Sequence, residues 1–260
     1  MHHFLHFLAK PVEKNLEVWY KIMVLDVTNL EFRELNEKLR NIDCPVTLTG
    51  CCGQRFIASG MQNKTITIEG IPGNALGAYL NGASITVNGN AQDAVGDTMN
   101  DGDIIIHGNI GDAAGYAMRG GRIFIKGNAG YRAGIHMKEY KDKVPIMIIG
   151  GSAGSFLGEY QAGGIIVVLG LGTDGQLVSN FPSTGMHGGK VFFRGEVQPS
   201  AFPKNVCLRT ATPEDMECIA EHISEYADLF GYDKEEILNA PFTVAIPDNN
   251  NPYKQMYVAN

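Results

Sequence analysis

The feature that most constrains this chain is a glycine repeat with a nearly constant period of 19 residues. In most repeats the opening glycine is followed by further glycines three and seven residues later. The opening glycines are Gly70, Gly89, Gly108, Gly127, Gly151 and Gly170. Self-similarity at a short, fixed period indicates a stacked repeat, in which each unit contacts only its neighbours. The repeat therefore predicts a rod to which most residues of the chain are committed.

Apolar residues recur at fixed offsets from these glycines and predict the inside of the rod. Alternate residues of one strand point to the same face, so the columns at offsets 15 and 17 are expected to face inward. The columns are Ile85, Ile104, Ile123 and Ile166; Val87, Ile106, Ile125 and Val168; Leu80, Met99, Met118 and Met137; and Leu76, Val95, Ala114, Ala133 and Leu157. Apolar columns with glycine corners describe the coils of a parallel β-helix, with about seven coils over residues 44–200.

One position of the repeat is polar. Asn90, Asn109 and Asn128 occupy it in successive coils. Stacked amides can hydrogen-bond along the axis of such a structure. We therefore expect these three side chains to form a ladder from coil to coil.

The segments before the repeat differ from it in character. Residues 1–22 show no clear element and are interpreted as an extension, for which disorder or easy proteolysis is expected. Residues 23–43 predict a strand over 24–27 and a helix from about residue 29 to residue 41, with Thr28 and Glu31 as a capping box. Leu35 and Leu39 form an apolar stripe on this helix with Phe32. The helix is expected to cover the open end of the coils, because exposed coil ends present unpaired strand edges.

The repeat is abandoned again over residues 201–260, which predict a helical tail. Thr212 is a favourable N-cap, Pro213 follows at the first helical position, and Gly231 ends the apolar periodicity. A short second helix is predicted over residues 233–238, and the last twenty residues are expected to be irregular. The whole fold is therefore predicted as mainly β, with a helical cap at the N-terminal end and a helical tail at the C-terminal end.

The repeat is interrupted once, because Gly127 and Gly151 are 24 residues apart instead of 19. The additional residues enter at 137–145, and the charged part of this insertion is Lys138, Glu139, Tyr140, Lys141, Asp142 and Lys143. Two interpretations stay open: a solvated loop, or a loop that docks a partner, because insertions in solenoids project from one face and often bind other proteins.

Composition excludes several classes of function. The net charge of −7 and the lack of a Lys/Arg cluster argue against a nucleic-acid partner. No apolar run approaches the ~18 residues that a membrane span needs, and the N-terminus lacks the pattern of a signal peptide.

Five cysteines form an odd, low count that fits a reducing cytoplasm, and Cys44, Cys51 and Cys52 lack the spacing of a metal site. His107, His136 and His187 lie in different coils and are interpreted as surface or packed imidazoles.

One segment matches an enzyme motif. Residues 150–154 read Gly-Gly-Ser-Ala-Gly, the Gly-x-Ser-x-Gly pattern in which Ser152 would be the nucleophile of an esterase. The repeat itself explains the match, because Ser152 stands where the asparagines stand in earlier coils, and no helix signal follows it. The glycine spacing also differs from a dinucleotide fingerprint, which needs Gly-x-Gly-x-x-Gly followed by a helix.

The segment Gly-Glu-Tyr-Gln-Ala-Gly-Gly-Ile-Ile-Val-Val-Leu-Gly at 158–170 carries a family resemblance. Together with Gly-Gln-Arg-Phe at 53–56 and the Gly-x-x-Gly-x-x-x-Gly coils, it resembles the C-terminal GXGXG domain of the glutamate synthase large subunit, in particular its stand-alone form. The resemblance covers roughly residues 23–200. The chain is also similar to a formylmethanofuran dehydrogenase component that shares the repeat.

The resemblance implies a right-handed parallel β-helix that holds other subunits together and supplies no catalytic residue, cofactor ligand or metal ligand of its own. FMN and iron–sulfur clusters would then belong to the partners, a glutamine amidotransferase and an FMN-dependent synthase that together make glutamate in the cytoplasm. A scaffold role in a molybdenum or tungsten formylmethanofuran dehydrogenase, and a stand-alone hydrolase using Ser152, are the alternatives. Formation of a homo-oligomer stays open.

Overall fold

The computed structural model of the protein describes residues 6–9 and 20–248. Its strands are β1 (His6–Ala9), β2 (Tyr20–Asp26), β3 (Val46–Cys52), β4 (Thr65–Ile71), β5 (Asn81–Val87), β6 (Asp101–Ile106), β7 (Arg122–Ile125), β8 (Ile146–Ile149), β9 (Ala162–Val168), β10 (Gly188–Arg194), β11 (Val206–Thr210) and β12 (Phe242–Pro247). Its helices are α1 (Phe32–Arg40), α2 (Pro213–Phe230) and α3 (Lys234–Leu238), with a 3₁₀ turn at Pro199–Ala201.

The twelve strands of the described residues form a single sheet, in which β1 to β10 follow one another in chain order along the rod. From β2 to β10 each strand pairs in parallel with the next, which makes a parallel β-helix of about eight turns. Antiparallel strands lie at both ends, since β1 pairs with β2 and the β12–β11 pair follows β10. The predicted fold class is confirmed.

The four predicted apolar columns all face the inside. Their members are fully buried, with no exposed surface on any of them. The strand columns stay in register from coil to coil, as in the pairing of Ile85 with Ile104 and of Ile104 with Ile123. Burial of stacked, similar side chains in successive coils is the main apolar stabilisation of the rod.

The asparagine ladder is confirmed, with one refinement. Each side-chain oxygen accepts a hydrogen bond from a backbone N–H of the next coil, not from the next amide. Asn90 accepts from Asn109, Asn109 accepts from Asn128, and Asn128 accepts from Ser152, each at 2.8 Å. A second ladder, which was not predicted, runs through Asp93 and Asp112, with Asp112 N–H donating to Asp93 Oδ1 at 2.9 Å.

The turn segment of each coil contains left-handed residues at alternate positions. In the coil of residues 74–79 these are Ala75, Gly77 and Tyr79, with φ of 62°, 63° and 58°. The central one is glycine in this coil and the next four, because its Cβ would point into the core. A Cβ on Gly96, for example, would lie 2.6 Å from Ile123 Cδ1. The outer two positions are exposed or half-buried in the coils, apart from Ala75 at 6% exposure, although left-handed backbone costs roughly 1–2 kcal/mol for non-glycine residues.

At the N-terminal end, α1 begins later than predicted. Leu35 and Leu39 are buried in the core, as expected for a cap. The predicted capping box is wrong: Glu31 is the N-cap, without a side-chain hydrogen bond. The Thr28 hydroxyl instead donates to Asp26 Oδ1 at 2.6 Å, because the nearer carboxylate competes for it. The strand β1 was not predicted either, and the rest of the extension before residue 20 lies outside the described residues.

The C-terminal tail contains the two predicted helices. The N-cap Thr212 and Asp215 form a capping box on α2, and Gly231 ends it at φ 75°. The prediction that the last twenty residues are irregular is wrong for β12, which lies between β10 and β11. The alternation Phe-Thr-Val-Ala-Ile is a strand pattern that the following Asn and Pro residues obscured. Residues 249–260 lie outside the described residues.

Helix α2 covers the outer face of the sheet over its C-terminal half. One outward-facing column changes from polar to apolar along the rod: Thr47, Thr67, Thr86, Ile105, Phe124, Ile148, Val167 and Phe192. From Phe124 onward these residues are buried in a second core against Ile223 and Tyr226 of α2. The Tyr226 hydroxyl also donates to the Ile125 carbonyl at 3.3 Å.

Candidate functional site

The two parts of the chain that depart from the repeat, the insertion and helix α2, lie side by side and enclose a cleft. The cleft has a volume of about 540 Å³. Its floor is the start of strands β6–β9, and its walls are the insertion and α2. Its chemically distinctive lining residues are Asp101, Asp103, Arg122, Lys143, Cys218 and His222. Because clefts with convergent polar groups are the usual place for function, this is the candidate site.

The insertion is a compact hairpin that folds back onto the rod. Backbone hydrogen bonds of 3.1 Å join Tyr140 and Lys143 in both directions, and Lys141 takes the left-handed conformation at φ 58°. Glu139 Oε1 accepts from the Gly164 N–H at 3.0 Å, which anchors the first arm. Lys143 Nζ donates to Asp101 Oδ2 at 2.7 Å, which anchors the second.

Several of the predicted docking residues remain exposed on this hairpin. They are Lys138, Glu139, Tyr140, Lys141 and Asp142, whereas Lys143 is half-buried against the cleft. The Tyr140 ring is 52% exposed, with the Lys141 ammonium 5.3 Å from its centroid. The geometry is compatible with either interpretation of the insertion, so its docking role stays a prediction.

Ion pairs dominate the electrostatics of the cleft. Arg122 donates to Asp103 at 2.7 Å and to Glu225 of α2, which links the helix to strands β6 and β7. The hydrogen bond to Asp103 raises the pKa of Arg122, and the hydrogen bond from Lys143 lowers the pKa of Asp101. Each cation of the cleft is therefore held by a carboxylate. Such a network fixes the position of α2 and the hairpin, and it leaves little free charge for an ionic ligand.

The remaining titratable groups of the cleft belong to α2. Burial lowers the pKa of His222, so this imidazole is neutral at pH 7, and its Nδ1 is buried without a hydrogen-bond partner in the described part of the chain. The Cys218 thiol is exposed and donates to the backbone carbonyl of Glu214, one helical turn earlier, at 3.2 Å. In the described part of the chain, no hydrogen bond joins the Cys218 thiol to the His222 imidazole, as a nucleophile and its base would require.

The motif residue Ser152 lies away from this cleft, in the asparagine ladder. Its N–H and its hydroxyl both donate to Asn128 Oδ1, at 2.8 and 3.2 Å. The chain after it continues into the turn of the next coil, whereas a nucleophile elbow leads into a helix. The position of Ser152 is thus set by the repeat. Its lack of a catalytic role stays a prediction.

The cysteines and histidines that the sequence singled out are dispersed. Cys51 is buried, which raises the pKa of its thiol to about 11, while Cys52 is exposed. Over residues 6–9 and 20–248, no group of three or more His, Cys, Asp or Glu side chains has the geometry to hold a metal ion. His107 packs edge-on against Phe230 of α2 at 5.1 Å, and His136 stacks on Tyr160.

Sequence reasoning missed two features of the fold. The first is a second insertion, at residues 171–176: Ala153 forms a bridge with Val178, 25 residues on, although most coils are offset by 19. Gly170 still follows Gly151 by 19 residues, so the glycine period did not show it. The second is the outer apolar face under α2. The sequence contained a signal for this second buried face, since continuous apolar runs such as residues 146–149 indicate strands buried on both faces.

Taken together, these features define a β-helix repeat protein whose polar groups serve mainly to join coil to coil and helix to sheet. The family model described as "GXGXG motif" matches residues 26–247, and the chain therefore belongs to the GXGXG family.

Similar proteins include one of unknown function. The chain is 44% identical over 250 residues to the uncharacterized protein MJ1350 of Methanocaldococcus jannaschii, covering 90% of this chain and 96% of that one. Its fold is similar to that of a chain in the X-ray crystal structure of the formyltransferase/hydrolase complex (FhcABCD) from Methylorubrum extorquens in complex with methylofuran. That match has a TM-score of 0.61 and 20% identity, and it covers 84% of this chain and 88% of the other. Among the described residues, no helix has the length and apolarity to cross a membrane.

Proposed function

We propose that this chain is a non-catalytic structural subunit of a glutamate synthase-type complex. In this proposal it holds a glutamine amidotransferase subunit and an FMN- and iron–sulfur-containing synthase subunit in a fixed arrangement for glutamate biosynthesis in the cytoplasm. The chain would be part of an oxidoreductase whose cofactors all bind to the partner subunits.

One observation carries the proposal: the polar groups of the repeat join coils to each other. The ladder oxygens of Asn90, Asn109 and Asn128 accept backbone N–H groups of the next coil. The cleft cations Arg122 and Lys143 are paired with carboxylates of neighbouring strands and α2. Groups used in this way build a rigid rod, which is what a scaffold needs. Membership of the GXGXG family and the resemblance of its coils to the glutamate synthase domain support the choice of complex.

A second candidate is a scaffold subunit of a formylmethanofuran dehydrogenase-type complex. The observation that favours it is the fold match over 84% of the chain to a component of a formyltransferase/hydrolase complex. Both candidates assign the same physical role to the β-helix and differ in the enzymes that it holds.

The test is purification of the tagged full chain from its native source, with identification of every co-purifying subunit by mass spectrometry. Glutaminase and FMN-synthase subunits in constant ratio are the expected result. Molybdopterin or formyltransferase subunits would instead establish the second candidate. A chain that purifies alone and hydrolyses short esters, with the activity abolished by Ser152→Ala, would overturn both.

A further inference from the structure

A band of large side chains lies along the turn face of the C-terminal coils, away from the cleft. We call it the aromatic band: Tyr116, Arg132, His136, Phe156, Tyr160 and Phe181. Three of its rings are strongly exposed, Tyr116 at 40%, Tyr160 at 44% and Phe181 at 58%. Contiguous exposed apolar surface of this kind marks interaction sites in soluble proteins.

The side chains of the band hold one another in two stacked columns. In the first, the His136 ring lies 5.2 Å from Tyr160 at an interplanar angle of 10°, and Tyr116 meets His136 edge-on at 5.9 Å. In the second, the Arg132 guanidinium lies 4.9 Å from the centroid of Phe156, whose ring stacks on Phe181 at 5.4 Å. Rings fixed in this way lose little conformational entropy when a partner covers them.

The backbone under the band is unfavourable for large residues. Five of its six members are left-handed: Arg132, His136, Phe156, Tyr160 and Phe181 have φ between 53° and 63°. The same repeat positions in the three coils just before the band hold small residues, Ala75, Ala94, Thr98, Ala113 and Ala117, with Tyr79 as the exception, and one coil earlier Phe56 is large. The coil therefore folds without large side chains there. Residues kept in a strained conformation that folding does not require are typical of functional surfaces.

The area and charge of the band indicate what it binds. Each exposed ring offers roughly 100 Å² of surface, so with the neighbouring Tyr131 the patch reaches about 400 Å², half of what one partner buries in a standard interface.

Exposed Arg119 and Lys138 follow Tyr116 and His136 in the chain, and with Arg132 they form a basic border. The acid Glu159 is largely covered and bonded to Arg132 at 3.1 Å. The exposed acids beside it are bound to backbone: Asp112 Oδ1 accepts from the Tyr131 N–H at 2.8 Å, and Glu139 Oε1 accepts from the Gly164 N–H at 3.0 Å. The band thus places three cations on a chain whose net charge is −7.

We infer that the aromatic band is the surface on which this subunit docks a partner protein of its complex, through a segment with apolar side chains flanked by carboxylates. Tyr, Phe and Arg are the residues enriched at the centres of protein interfaces, and complementary charge orients the encounter. The inference rests on the proposed function, because it assumes a partner subunit. It assigns the contact to the turn face and not to the insertion hairpin.

A matched pair of substitutions tests it in the full-length tagged chain, expressed in the native source. Tyr160→Ala combined with Phe181→Ala removes two exposed rings of the band. Tyr79→Ala is the control, because Tyr79 occupies the same repeat position as Tyr160, is also left-handed at φ 58°, and is 56% exposed outside the band. Circular dichroism and thermal melting show that each variant is folded. A third variant replaces residues 139–143 by a short glycine linker and keeps Lys138, which belongs to the basic border.

The double variant is expected to retain at least tenfold less partner subunit than the wild type, as when interface hot spots are removed. The Tyr79→Ala control should retain an amount within twofold of the wild type. Higher ionic strength should weaken the wild-type contact, because the basic border is exposed. Full retention by the double variant, or loss only with the hairpin replacement, would overturn the inference and leave the proposed function standing. If light scattering instead shows a homodimeric wild type and a monomeric double variant, the band binds a second copy of this chain and the inferred partner protein is wrong. A wild-type chain that retains no subunit would contradict the proposed function itself.

Discussion

At the start of α2, the junction between the helix and the sheet is made by one carboxylate, Asp215, which is 2% exposed. It accepts hydrogen bonds from Lys190 of β10 at 2.7 Å, from Arg209 of β11, and from the Thr212 N–H at 3.0 Å. One side chain thus joins the start of the helix to two strands. Substituting Asp215→Asn keeps the shape and an oxygen that can accept from the Thr212 N–H, as the N3 residue of a capping box does, but it removes the charge.

The expected loss of stability follows from the two cations, Lys190 and Arg209, which the substitution leaves without a charged partner. Breaking a buried ion pair by neutralising one partner costs ~3–5 kcal/mol. Lys190 and Arg209 are about one-third exposed, at 34% and 36%, so water recovers part of that energy. We therefore expect Asp215→Asn to destabilise the docking of α2 by about 2–3 kcal/mol. At 1.4 kcal/mol per factor of ten, this corresponds to opening about 30- to 150-fold more often.

Hydrogen exchange of the α2 amides at pH 7 measures this opening directly. The control is Asp233→Asn, an exposed N-cap of α3 whose carboxylate accepts only from the backbone N–H groups of Glu235 and Glu236 among its hydrogen bonds in the described residues. It should change exchange by less than about threefold. If the Asp215 variant also changes α2 exchange by less than threefold, the argument that this carboxylate holds the helix is refuted.

The pH dependence provides an independent check on Asp215. The hydrogen bonds from Arg209 and Lys190 hold the pKa of Asp215 well below its ordinary value. A group whose pKa is lowered by folding contributes stability that is complete above its unfolded pKa, near ~3.9, and that is lost as the pH falls toward the folded pKa. Protection of α2 in the wild type is therefore expected to fall below about pH 4. The Asp215→Asn variant should lack this component.

Four further substitutions test the packing of the coils and of α2 on them. Gly96→Ala should lower the free energy of unfolding in urea by about 2–4 kcal/mol, and Gly60→Ala should lower it by only about 1 kcal/mol. Both glycines are left-handed, but only at Gly96 would the added Cβ collide with the core. Equal losses would contradict this collision. Asn109→Ala removes an acceptor of the ladder and should cost about 1 kcal/mol in the same assay; an unchanged midpoint would show that the ladder does not stabilise the rod. Phe124→Ala should cost about 3–5 kcal/mol and make α2 sensitive to protease, because Phe124 is fully buried under that helix; a protected α2 would contradict this packing.

The inside of the rod was predictable residue by residue. A strict period makes every inward position visible many times, so the columns through Leu80 and Ile85 followed from the sequence alone. Helix α2 was also predictable, because its N-cap at Thr212 and its C-cap at Gly231 are local sequence signals. In both cases short-range patterns and the final structure agree.

The parts that failed depend on tertiary contacts. Whether Thr28 caps α1 or bonds to Asp26 is a competition between two local partners that residue type alone does not decide. Strand β12 forms because β10 and β11 provide partners on both of its sides, one of them distant in the chain. The second insertion, at residues 171–176, became visible only from the pairing of Ala153 with Val178.

The candidate site was predicted only in outline. Departures from the repeat drew attention to the insertion and the tail, and the structure brings the two together at one cleft. The pairing of Arg122 with Glu225, more than 100 residues away, has no signal in a single sequence. The aromatic band was also overlooked, because its residues share positions with alanine in earlier coils and so break the column pattern.

The most direct test of the scaffold role is glutamine-dependent glutamate formation by the purified glutaminase and synthase subunits, with and without this chain. We expect the catalytic subunits alone to hydrolyse glutamine without coupled glutamate synthesis, and the added chain to restore coupling at a fixed stoichiometry. Coupled synthesis at the same rate without the chain would contradict the account.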